Sequence, residues 1–99
     1  MRQALSATAI VTALRQAKPA LAARYPVRGM ALFGSVARGE ATEKSDVDIL
    51  VDVDPSIGLG IVALGDEIEK LLGRRVDLVS KRAVRPRMLR VIESEKLDV

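Results

Sequence analysis

Gly34-Ser35-Val36-Ala37-Arg38-Gly39 and, a few residues on, Ser45-Asp46-Val47-Asp48-Ile49-Leu50-Val51 decide how this chain is read. The first stretch is a glycine-bounded turn. The second sets two aspartates one residue apart at the head of an apolar run. From Asp46 to Val53 the odd positions, Val47, Ile49, Val51 and Val53, are all apolar. The even positions, Asp46, Asp48 and Asp52, are acidic apart from Leu50, and Asp54 continues them. Alternation of period two predicts a strand. It places Asp46 and Asp48 side by side on one face. A turn able to hold phosphate beside a strand able to hold a metal is the arrangement these residues suggest.

Working outward, Val27 to Phe33 reads as a short buried strand because Met30, Ala31, Leu32 and Phe33 are continuous. Gly34 ends it, and Ser35 to Ala41 has room for one helical turn. After the acidic strand, Pro55-Ser56 through Gly60 is a turn-rich linker. Residues 61–72 predict an amphipathic helix with Ile61, Leu64, Ile68, Leu71 and Leu72 inward, ended by Gly73. Arg75 to Ser80 predicts a third strand. Strand, helix and strand in that order imply a parallel pair with a right-handed crossover. Pro86 opens a last helix to about Glu95, with Met88, Leu89, Val91 and Ile92 as its packing residues. Before all of these, residues 4–24 carry Leu5, Ala9, Val11, Thr12 and Leu14 at helical spacing, with Ser6 or Thr8 as cap. Pro19 is expected to kink or divide that helix near Lys18, and Tyr25-Pro26 to end it. The expected fold is α/β of the α+β kind: a small mixed β-sheet of about three to four strands flanked by helices.

Ninety-nine residues predict a single domain over 1–99. The composition is 48% hydrophobic but 2% aromatic, so Leu, Val, Ile and Ala must build the core. There is neither cysteine nor histidine. That excludes disulfides, thiol nucleophiles, imidazole acid–base chemistry and the usual zinc ligand sets. A metal here must be a hard, oxygen-liganded cation such as Mg2+. No apolar run approaches the ~20 residues of a membrane span, and the N-terminus lacks a signal-peptide pattern, so no membrane association and a cytoplasmic location are expected.

Charge is unevenly spread. Residues 39–54 hold Glu40, Glu43, Asp46, Asp48, Asp52 and Asp54 against Lys44. Residues 74–90 hold Arg74, Arg75, Lys81, Arg82, Arg85, Arg87 and Arg90 against Asp77. Two carboxylates about 5 Å apart repel by ~3 kcal/mol at an effective dielectric of ~20, and a divalent cation between them reverses that sign. Asp46 and Asp48 are therefore candidate metal ligands. Asp77 lies within the apolar run Val76-Leu78-Val79, where a charge needs a partner, and a neighbouring third strand would bring it to the same site. Gly34 and Ser35 offer close backbone approach and a hydroxyl to phosphate. Arg38 either contacts phosphate or holds the acidic loop. A calcium loop of the EF-hand type is rejected, since Leu50 and Val51 fall where a ligand and a glycine are needed. Asp52 and Asp54 read as a solvated strand end, and Arg85, Arg87 and Arg90 as a solvated helix face.

Gly34-Ser35-x-x-Arg38-Gly39, Ser45-Asp46-x-Asp48 and a later Asp77 on a strand resemble the signature of the DNA polymerase β-like nucleotidyltransferases. The run from Ala31 to Asp54 is similar to the minimal nucleotidyltransferase (MNT) branch in particular, and the resemblance covers residues 25–80. It implies the polymerase β-like nucleotidyltransferase fold, with Asp46 and Asp48 binding two Mg2+ ions. Asp77 would bind the catalytic metal or help to deprotonate the incoming hydroxyl. Gly34 and Ser35 would hold the β- and γ-phosphates of ATP. Larger members carry an added domain for the acceptor, so here the acceptor is expected on a partner. Free-standing minimal members are similar to the antitoxins of HEPN/MNT toxin–antitoxin pairs, which implies a HEPN-family ribonuclease toxin as partner and adenylyl transfer to a tyrosine of it. The competing reading is a binding-only antitoxin that covers its partner and uses nucleotide as a structural ligand, through Ile57, Leu59, Ile61 and Val62. That stretch reads somewhat better as the first turn of the core helix. Nucleic acid is not expected as a direct ligand of the basic segment 74–90, because the only aromatic residues are Tyr25 and Phe33.

Overall fold

The hydrophobic period of Val47–Val53 (β2) sets the architecture. Val47, Ile49, Val51 and Val53 are all buried on one face of the sheet. Val27–Phe33 (β1) pairs antiparallel with β2, and Val76–Ser80 (β3) pairs parallel with it. A computed structural model describes residues 6–99. Its four-stranded mixed sheet runs β3-β2-β1-β4, where β4 is Leu97–Asp98, antiparallel to β1. The last strand was not expected from its sequence. Arg15 Nη2 donates to the Asp98 carbonyl and Lys18 Nζ to that of Val99, both at 3.0 Å, and so hold this end of the chain from the first helix.

Helices cover both faces. Ala7–Arg24 (α1) and Gly60–Leu72 (α3) lie over the face that carries Met30, Leu32, Ile49 and Val51, contributing Ile10, Val11, Leu14, Leu21, Leu64 and Ile68 to one core. Pro86–Glu95 (α4) covers the other face, where Ile92 packs with Ala31 and Leu50. Positions 4 and 5 of the expected first helix, Leu5 among them, lie outside the described residues. Ser6 caps α1, its Oγ accepting the Ala9 N–H at 3.2 Å.

Four expectations are corrected. Pro19 neither divides nor ends α1, which runs through it. Pro19 and Arg15, whose carbonyl loses its amide donor, are exposed, which leaves that carbonyl open to solvent, while buried Leu14 and Leu21 hold both halves to the core. Leu71 of α3 is exposed, not inward. In α4, Met88 and Val91 are 54% and 51% exposed, leaving Ile92 and the partly buried Leu89 to pack. The stretch 57–62 divides: Ile57 and Ile61 pack on the core while Leu59 and Val62 face solvent. The end of α3 is as expected. Gly73, at φ +66°, donates its N–H to the Glu69 carbonyl at 2.8 Å.

Candidate active site

Strand register assembles the site. In the antiparallel pair, Phe33 lies opposite Asp48. Gly34 therefore leaves β1 directly beside the Asp48 side chain. Its φ is +77°, and a Cβ there would overlap Asp48 Oδ2 and sit 3.0 Å from Asp48 Cγ. Both the backbone angle and the space require glycine. Gly34–Ala37 (α2) then forms one helical turn, and the Glu40 N–H closes the loop onto the Ser35 carbonyl at 2.8 Å. In the parallel pair, Asp48 lies opposite Asp77. Asp46 stands just before β2 and pairs with Arg75, Nε to Oδ1 at 3.3 Å.

Electrostatics follow from that register. Asp48 is half-buried, and burial pushes its carboxyl pKa up from 3.8. The neighbouring Asp77 and then Asp46 carboxylates push the same way, while Arg38 opposes them. Asp77 departs from expectation: it lies on an edge strand and is exposed, not buried in an apolar run. β3 has no strand beyond it, so an alternating apolar pattern there leaves the intervening position in water. Asp48 is the carboxylate that burial strains, and Asp77 is the one a second molecule can approach.

The loop is held by charges. Arg38 Nε bonds Glu40 Oε1 at 2.9 Å, and its Nη1 reaches both oxygens of Glu95 at 3.2 and 3.1 Å. Glu95 Oε1 also accepts the Gly34 N–H at 3.2 Å. The sequence reading missed Glu95. It is the last residue of α4, and nothing in its local sequence distinguishes it from an ordinary exposed helix-end carboxylate. Of the N–H groups heading the α2 turn, that of Gly34 is thus engaged. Those of Ser35 and Val36 follow it, where no intrahelical carbonyl is available. On the other side, Arg74 Nη2 donates to the carbonyls of Glu43 at 2.9 Å and of Thr42 and Ser45 at 3.3 Å. The acidic and basic segments therefore partly hold one another: Arg74 and Arg75 secure the loop and Asp46.

The donor set fits a hard cation. Asp46, Asp48 and Asp77 offer carboxylate oxygens only, and the like charges around Asp48 are what a divalent ion would relieve. Among the described residues, no three carboxylates already surround one point; Asp46 is turned to Arg75. Mg2+ commonly takes one or two protein carboxylates and completes its shell with phosphate and water.

Comparison with known proteins gives the same direction. The nucleotidyltransferase domain family matches residues 14–99. Protein adenylyltransferase MntA of Thermococcus cleftensis is 44% identical over 84 residues, covering 83% of this chain and 84% of its own. A solved structure described as a minimal nucleotidyltransferase superposes with a TM-score of 0.71 at 38% identity, over 90% of this chain and 95% of that one. A chain from a crystal structure of a mutant MntA–HpeT toxin–antitoxin pair superposes with a TM-score of 0.65 at 25% identity, over 93% of this chain and 69% of that one.

Proposed function

The chain belongs to the nucleotidyltransferase domain family, and from that membership we propose that it moves an adenylyl group from ATP onto a hydroxyl of a separate protein, as the antitoxin of a toxin–antitoxin pair. The partner is a HEPN-family ribonuclease toxin and the acceptor a tyrosine of it. Relatives that carry the name protein adenylyltransferase and similarity to a toxin–antitoxin structure support the reading. The observation that carries it is the register: Gly34 packs on the carboxylate of Asp48, and Asp48 stands opposite the exposed Asp77.

In this reading Asp46, Asp48 and Asp77 would hold two Mg2+ ions, which would neutralise triphosphate charge and polarise the α-phosphate. Gly34 lets the phosphate turn lie against the aspartates. Ser35, through its hydroxyl and the turn's free N–H groups, holds the β- and γ-phosphates. Arg38, fixed by Glu40 and Glu95, keeps the turn in place. The acceptor oxygen attacks the α-phosphorus and Asp77 takes its proton. The bond from the α-phosphorus to the bridging oxygen breaks, and pyrophosphate leaves. With no histidine in the chain, the work is positioning and charge stabilisation.

The test uses ATP labelled at the α- or the γ-phosphate, Mg2+ and the co-encoded partner protein. Label should reach the partner from α-labelled ATP only, and Asp48→Asn should abolish it. Label arriving from the γ-position would make the protein a kinase and end this reading.

A further inference from the structure

We infer that the exposed face of α4, with the turn leading into it, is the surface on which the acceptor protein docks, an acidic patch of that protein lying over its arginines. The identity of the occupant rests on the transfer reading above; the surface itself rests on three observations.

The first is how the cations are used. Every described arginine up to residue 75 is engaged within the chain: Arg15 on Asp98, Arg24 on Glu67, Arg28 on Asp54, Arg38 on Glu40 and Glu95, Arg74 on the loop carbonyls and Arg75 on Asp46. Between residues 81 and 90 the pattern reverses, although Lys96 beyond them pairs with Glu93 and Asp98. Lys81, Arg82, Arg85, Arg87 and Arg90 are all exposed, and none has a carboxylate or carbonyl partner among the described residues. A fold that neutralises its arginines elsewhere leaves Arg85, Arg87 and Arg90 of α4 and the turn before it unpaired, and such cations attract an acidic surface and steer its approach.

The second is apolar surface amid that charge. Met88 and Val91, one helical turn apart on α4, are 54% and 51% exposed. Cations alone would suit a polyanion. Exposed apolar side chains on the same helix match a folded protein surface, where apolar and polar contacts are combined. A nucleic-acid backbone offers nothing to Met88 and Val91, and the aromatic nearest α4, Phe33, is partly buried beneath it against the Ile92 cluster rather than displayed to stack bases.

The third is continuity with the site. Met88, Val91 and Glu95 follow at i, i+3 and i+7, the spacing of one helix face. Glu95 bonds Gly34 N–H and Arg38. At about 1.5 Å per residue, Met88 is ~10 Å along the axis from Glu95. A protein seated on Met88 and Val91 can thus present a side-chain hydroxyl to the aspartates beside that loop.

The experiment measures transfer against acceptor concentration, and acceptor binding separately, for Arg87→Glu/Arg90→Glu and for Met88→Ser/Val91→Ser. Both pairs are exposed and lie outside the aspartate site, so melting temperature and affinity for a non-hydrolysable ATP analogue should match wild type. KM for the co-encoded partner should rise at least about tenfold, with kcat at saturating partner unchanged. The charge-reversal pair should also lose most of the salt dependence of association. Unchanged KM and partner affinity in both pairs, with wild-type transfer intact, would overturn the surface and leave the activity standing. Loss of partner binding in both pairs, with no transfer by wild type, would uphold the surface and overturn the activity. Tight binding of a mixed-sequence RNA at physiological salt, abolished by the arginine reversals while partner binding persists, would make this an RNA face and overturn the inference.

Discussion

Replacing Asp48 by Asn should stabilise the metal-free protein and remove its activity. Asp48 stands in parallel register opposite Asp77, and adjacent strands lie roughly 4.8 Å apart. Two unit charges at that separation repel by ~3 kcal/mol at an effective dielectric of ~20. Asp77 is exposed and Asp48 only half-buried, so water screening reduces this to about 1 kcal/mol. Burial of the Asp48 carboxylate, the leading cause of its raised pKa, acts in the same direction. A gain of about 1 kcal/mol is ~4–8 °C in melting temperature for a domain of this size. The pH dependence follows from the direction of the shift. A carboxyl whose folded pKa is raised destabilises the fold fully above that pKa, progressively less as pH falls through it, and not at all below the unfolded value of 3.8. The advantage of Asn should be full at pH 7 in EDTA and absent below that value. Saturating Mg2+ at pH 7 should reverse the order, because only the wild type gains binding free energy, ~1.4 kcal/mol at ten times its dissociation constant. Thermal unfolding of both proteins under the three conditions tests each step. An Asn variant that melts below wild type in EDTA at pH 7, or keeps its advantage in acid, would refute the electrostatic account.

Three further substitutions probe the scaffold. Gly34→Ala places a side chain at φ +77° and into Asp48; it should cost at least about 1–2 kcal/mol from the backbone alone and abolish transfer, and wild-type turnover would show that the turn tolerates displacement. Pro19→Ala restores an amide donor inside α1 and should stabilise by about 1–3 kcal/mol, read as a higher urea midpoint; an unchanged or lower midpoint would count against it. Glu95→Ala removes the acceptor shared by Gly34 N–H and Arg38. Amide exchange at Gly34 should accelerate and transfer fall about tenfold, with Glu95→Gln retaining much of both; equal exchange rates in all three proteins would mean the contact does not hold the turn.

Much of the fold was legible because it rests on local periodicity. The two-residue alternation of Val47 to Val53 gave β2 and its buried face. Continuous apolar residues in β1 marked a strand covered on both sides, as its contacts with α1 and α4 require. Gly73 announced the end of α3 through its backbone. What stayed hidden depends on neighbours. The two residues of β4 have no strand signal of their own; they are ordered by pairing with Ala31 and Leu32 and by Arg15 and Lys18 from α1. Pro19 survives inside a helix because tertiary contacts at Leu14 and Leu21 outweigh its local cost. Asp77 was misjudged because an apolar run does not reveal which strand lies at the edge.

For the site, the sequence carried the residue types and their order, and register supplied the geometry. Charge counting alone separates an acidic stretch at 39–54 from a basic one at 74–90. The structure divides the second group by use. Arg74 and Arg75 belong to the loop and Asp46, whereas Lys81 to Arg90 are left outward. No sequence pattern separates these two sets, since each is a run of arginines near a strand or helix end. The distinction is made by which carbonyls and carboxylates the fold brings within reach. Helix α4 shows the consequence most clearly. Its inward side places Ile92 in the core, its last residue, Glu95, bonds the Gly34 N–H and Arg38, and its outward residues include Arg87, Arg90, Met88 and Val91. Because one ten-residue helix bears all three, a protein that binds its outer face is held in fixed relation to the Gly34 turn. A small domain can in this way orient an acceptor using only a helix that its core already needs.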